Sequence, residues 1–241
     1  MAGKSKPCCI TVRHILDGRE VSVISPFFED SMDGGDPKAL KENCNMVFEG
    51  SKFVGDGFLL SHEQANAMKE QDDRTRSVIM PIINGDELNN APDQAPGRHI
   101  LNFFDWQASK VESCGEAYEY ALRNVKAARE ANTRLAGIPW WQYERPRLEL
   151  YGKLGKLTLC FAIVRHTKHF SFSASPTTYV FSDALKVLAT DRWDVYAVLQ
   201  STLHEVWARK YSGALKQDLR YSPSKCFDTF PFPEGLWQTA N

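Results

Sequence analysis

The chain has 241 residues, 43% hydrophobic and 24% charged, with a net charge of −1. That length suffices for one large domain or two small ones around a sizeable core, and the composition is that of an ordinary globular protein. No apolar run approaches bilayer-spanning length, and the lysines of the first seven residues are not followed by a long apolar stretch, so neither a membrane span nor a secretory signal is expected.

In chain order, Ile10–Leu16 and Arg19–Ser25 are two β-rich runs flanking Asp17-Gly18, the signal of a hairpin closed by a type I′ turn. Ser31–Pro37 reads as a polar linker, with a short helix around Lys38–Asn43. Met46–Val54 is expected as a strand, Gly55-Asp56-Gly57 as a turn and Phe58–Leu60 as a further strand. Ser61 caps a helix to about Gln71. Ser77–Ile83 is expected to be extended, Asp86–Gly97 a proline- and aspartate-containing loop, and His99–Phe104 another strand. Ala108 to about Arg134 reads as the longest helix, weakened near Gly115. Pro139 and Pro146 mark a boundary, followed by one or two helical turns over Arg147–Lys153. Leu157–Val164, His169–Ala174 and Thr178–Phe181 are strand-like. A helix from about Asp191 to Tyr211 carries Val195, Leu199, Leu203 and Val206 as a core stripe, and Asp228–Trp237 is expected as an irregular packed strap. The pattern is α+β: a mixed sheet with a long helix and a C-terminal helical element.

Charge is unevenly distributed. Residues 1–133 hold 15 Lys and Arg against 21 Asp and Glu, a net of −6, whereas residues 134–225 hold 14 against 7, a net of +7. A polyanionic partner would engage the second half. Val164–Phe170 concentrates Arg165, His166, Lys168 and His169 between two apolar runs, with Thr167 as a further donor. Such side chains pair with phosphates and with base edges, though an exposed hairpin tip has the same composition. Arg145 and Arg147 lie beside Trp140 and Trp141, which fit stacking on nucleic acid and fit a core better still. With Lys153 and Lys156, these residues complete the candidate DNA contacts: Arg145, Arg147, Lys153, Lys156, Arg165, His166, Thr167, Lys168 and His169.

Catalytic signatures are missing. There is no phosphate loop, and Gly50, Gly55 and Gly57 do not lead from a strand into a helix as a dinucleotide or S-adenosylmethionine fingerprint requires. His204-Glu205 is followed by Ala208 where a zinc protease needs a second histidine, and His166-x-x-His169 has no second ligand pair, so no metal is expected. The six cysteines show no CxxC spacing and suit a reduced, cytoplasmic protein.

Several blocks, taken in order, resemble the target recognition region of MmeI-like (type IIL) restriction-modification enzymes and their adenine-methylating relatives. They are Leu16-Asp-Gly18; Phe48-Glu-Gly-Ser51 with Gly55-Asp-Gly-Phe58; Pro81-Ile-Ile-Asn-Gly85 with Glu87-Leu88; Arg98-His-Ile-Leu-Asn-Phe103 with Asp105; Trp140-Trp141 with Tyr143; Arg165-His-Thr-Lys168; Leu199–His204 with Trp207; and Phe227–Pro233. The resemblance implies residues 1–45 as a hairpin and linker from the end of a methyltransferase domain, 46–190 as the DNA target recognition domain, and 191–241 as a helix and aromatic tail packed on it. It also implies double-stranded DNA and a methyltransferase domain or subunit as partners, and S-adenosylmethionine held by that catalytic domain, whose motifs this chain lacks. A non-catalytic protein-interaction scaffold is the alternative, and a small enzyme with an unrecognised site a weaker one.

Overall fold

The computed structural model describes residues 13–22, 24, 36–215 and 218–238, in two compact units divided between Lys38 and Ala39. The first unit contains β1, His14–Leu16, antiparallel to β2, Arg19–Val21. Asp17 and Gly18 between them take φ of 49° and 75°, the positive pair a type I′ turn demands. The outer parts of the expected strands and most of the 31–37 linker lie outside the described residues.

The second unit carries β3 (Val47–Glu49), β4 (Leu59–Leu60), β5 (Ile79–Ile83), β6 (Arg98–Leu101), β7 (Leu159–Val164), β8 (His166–Thr167), β9 (Ser173–Pro176), β10 (Val180–Phe181), β11 (Leu185–Leu188), β12 (Gly213–Leu215) and β13 (Asp218–Arg220). One sheet has the order β10-β5-β6-β4, with β10 parallel to β5 and the other pairs antiparallel. A second, wholly antiparallel, runs β3-β11-β7-β9, and a third runs β12-β13-β8. With the intervening helices this is an α+β fold.

β7 shows why its sequence is apolar throughout. Cys160, Ala162 and Val164 pack with Leu150, Leu154 and Phe181 on one face, while Phe161 and Ile163 pack with Leu199, Tyr221 and Phe227 on the other. A strand with a period of two that is buried on both faces has no polar side to write. A third cluster, including Phe58, Ile100, Phe103, Ala117, Ala121 and Tyr143, joins the first sheet to the helices around Gly115–Asn124. The two larger sheets meet at Gly50. A Cβ there would lie 2.1 Å from the Ser182 carbonyl oxygen, so only glycine permits the approach.

Several elements differ from the sequence expectation. The helix expected over 108–134 is three pieces, Ala108–Glu112, Gly115–Asn124 and Lys126–Glu130, with Gly115 at φ 45° turning the chain between the first two. The expected loop after Asn84 begins with a helix, Gly85–Asn90. Asn84 caps it, and the Glu87 side chain returns to the Asn84 amide. A second capped helix, Asp73–Val78, precedes β5. The expected 191–211 helix breaks into Trp193–Leu199 and Thr202–Tyr211 at Ser201, which caps the second piece. Val195 and Leu199 are buried, but Leu203 and Val206 are 77% and 60% exposed, and His204 and Ala208 take the core positions instead. The C-terminal strap packs as expected. Buried Asn43 holds it, its amide donating to the carbonyls of Phe227 and Phe230 while its oxygen accepts from the Trp237 indole.

Candidate nucleic-acid interface

The basic residues converge through strand register. β3 and β11 pair so that Lys186 stands directly opposite Glu49, and β7 pairs with β11 so that Arg165 emerges immediately beyond Val164. The Arg165 amide is fixed by the Ala184 carbonyl at 2.7 Å. Lys52 and Arg145 exchange backbone hydrogen bonds of 3.1 Å in both directions, which brings the 145–147 segment alongside the end of β3. Arg147 takes the left-handed conformation, φ 58° and ψ 45°, just before the helix Leu148–Leu154. This turn swings its guanidinium onto Glu49 and the Gly50 carbonyl.

Glu49 is the centre of the resulting group. Its Oε2 accepts from Arg147 at 2.6 Å and lies 4.0 Å from Arg145, and its Oε1 meets Lys186 at 3.0 Å and Arg165 at 3.2 Å. Burial pushes the Glu49 carboxyl up, but the Lys186 hydrogen bond and the charges of Lys186, Arg147 and Arg165 outweigh it and hold the pKa below the ordinary carboxylate value. Among the described residues, four cations around this one carboxylate leave a local surplus of three positive charges. Among the described residues the buried Arg165 Nε has no partner, an unused donor in the same group. Glu144 pairs with Lys52 at 2.9 Å and also lies 3.9 Å from Arg145, so this second carboxylate brings its own cation and leaves the surplus unchanged.

Of the residues proposed from sequence, Arg145, Arg147 and Arg165 belong to this group. His166 is half-buried on β8 opposite Arg220, and burial together with Arg165, Arg220 and Lys186 keeps its pKa below the usual histidine value. Lys168 and His169 are exposed at the turn after β8. Thr167 is buried and donates to the His169 carbonyl at 2.7 Å, so its hydroxyl shapes that turn. Lys153 reaches the Asn45 carbonyl and lies 4.8 Å from the centre of the Phe48 ring, and Phe48 points to the face of β3 opposite Glu49. Lys156 is exposed beyond the end of that helix. Trp140 and Trp141 are partly buried against the first sheet's core, and the Trp141 indole donates to the Trp106 carbonyl. The residues that sequence reasoning missed are Glu49 and Lys186. Neither is locally distinctive, and only the β3–β11 register makes them a pair.

The sequence matches the family described as the MmeI target recognition domain over residues 36–234. DNA methyltransferase A of Bacillus subtilis (strain 168) is 34% identical over 55 residues, which is 23% of this chain and 6% of that protein. The fold is similar to the type IIL restriction-modification enzyme MmeI, solved in complex with DNA, with a TM-score of 0.67 and 17% identity over 90% of this chain. This chain spans only 29% of that protein.

Proposed function

The chain belongs to the family of MmeI target recognition domains, and from that premise we propose that it reads double-stranded DNA sequence for a restriction-modification adenine methyltransferase. The observation that carries the reading is the convergence of Arg145, Arg147, Arg165 and Lys186, from three separate stretches of chain, into one group with surplus positive charge. Lysine and arginine neutralise phosphates and fix register on the duplex, while arginine forks discriminate guanine through its major-groove acceptors. Exposed Lys168 and His169 at the neighbouring turn extend the donor set.

Chemistry on the flipped adenine belongs, in this proposal, to a methyltransferase domain or subunit that binds S-adenosylmethionine. Residues 1–45 would represent the end of that domain, 46–190 the recognition domain and 191–241 its C-terminal helix and strap. The setting is cytoplasmic. No membrane partner is part of the proposal, and among the described residues no helix is long and apolar enough to cross a bilayer.

The test is a titration of the full chain with duplex DNA at increasing salt. Arg145 is 56% exposed and Lys168 is exposed, so replacing either with alanine leaves the core untouched. Binding is expected to weaken with salt, and each of Arg145→Ala and Lys168→Ala to flatten the slope of log K against log salt by about 0.9. Absence of duplex binding even at low salt, or variants indistinguishable from the parent, would overturn the reading.

A further inference from the structure

A protein that only needed to grip phosphates would leave its cations free. Here Arg147, Arg165 and Lys186 are instead tied to one carboxylate at 2.6–3.2 Å. Glu49 and Lys186 are paired across adjacent strands, so the contact is set by the backbone and does not depend on two mobile side chains meeting. Both are well covered, with side-chain exposures of 22% and 12%, so solvent screens the pair only in part.

We propose that Glu49 is a positioning residue that sets sequence discrimination, an inference that rests on the DNA-reading function above. Two effects of the carboxylate act in the same direction. First, it holds mutually repelling cations in place. Reading a base edge with a guanidinium fork requires placement within about 0.5 Å, and loosely held arginines cannot meet that tolerance. Second, Glu49 repels every phosphate and so weakens binding to all sequences alike. Its cost is therefore uniform, whereas the order it imposes is rewarded only where base acceptors match. A carboxylate in this position trades affinity for any duplex against preference for one.

Two variants separate charge from geometry. Glu49→Gln keeps the shape and removes the charge, and Glu49→Asp keeps the charge and shortens the reach. Each full chain is titrated with a fixed arbitrary duplex at several salt concentrations. Each is also incubated with a duplex pool of randomised sequence, and the bound fraction is sequenced. Glu49→Gln is expected to bind the arbitrary duplex about tenfold tighter at low salt, with a salt slope steeper by about 0.9, and to lose about tenfold in enrichment of the preferred motif. Glu49→Asp is expected to keep the parent's slope and still lose enrichment. Parent-like slope and enrichment in Glu49→Gln would overturn the proposal while leaving the DNA-reading function standing. If Glu49→Gln fails to fold, Glu49→Asp decides, and undiminished enrichment overturns the proposal. A parent chain that binds no duplex removes the DNA-reading function and this inference with it.

Discussion

His204 shows how much one side chain can carry. It is fully buried among Phe170, Phe230 and Phe232, with Nε2 3.1 Å from the Tyr221 hydroxyl and Nδ1 without a partner among the described residues. Burial pushes its pKa down from 6.5 to about 3. A depressed histidine pKa means that the folded state holds the neutral ring while the unfolded chain protonates first. Its contribution to stability is thus complete above about pH 6.5 and is lost as pH falls toward 3, by about 1.4 kcal/mol per pH unit. Chemical denaturation measured from pH 7 to pH 4 is expected to show this loss in the parent chain and a shallower decline in His204→Gln. Equal slopes would mean that the imidazole does not govern acid unfolding.

At the scale of elements, the split helical region 193–211 is the most informative. A single helix would place Val195, Leu199, Leu203 and Val206 along one stripe, but Ser201 restarts the helix and rotates the stripe. Leu199 is then fully buried and Leu203 77% exposed. Leu199→Ala is expected to cost about 2–5 kcal/mol of unfolding free energy, and Leu203→Ala to stay within about 0.5 kcal/mol of the parent. Similar losses from both would mean that Leu203 is covered. Ser61 was readable in advance as a cap, and the structure adds the reciprocal Gln64 contact that makes it a capping box, whereas the same device at Asn84 and Glu87 was hidden behind a turn-like Asn-Gly.

Across the whole molecule, the acidic 1–133 stretch and the basic 134–225 stretch predict which surface DNA covers. Lysine modification with and without saturating duplex provides the check. Lys168 is expected to become protected by at least severalfold, and Lys69 and Lys126 to stay as reactive as in the free chain. Protection centred on Lys69 or Lys126 would move the interface to the other half. The charge split is only partly respected by the fold, because Glu49 from the acidic half sits at the centre of the basic group.

Local chemistry was legible in the sequence: the Asp17-Gly18 turn, the Ser61 cap, the strand at Leu157–Val164, and the α+β class all follow from rules that act within a few residues. So were Arg145, Arg147 and Arg165 as a basic set, because composition does not depend on folding. Tertiary structure alone decided that those arginines share a carboxylate with Lys186, that Thr167 is turned inward, and that Lys153 lies on the other face of β3. The physical reason is register. Pairing between strands separated by more than a hundred residues determines which side chains stand opposite one another, and a shift of one residue would send Glu49 to the opposite face.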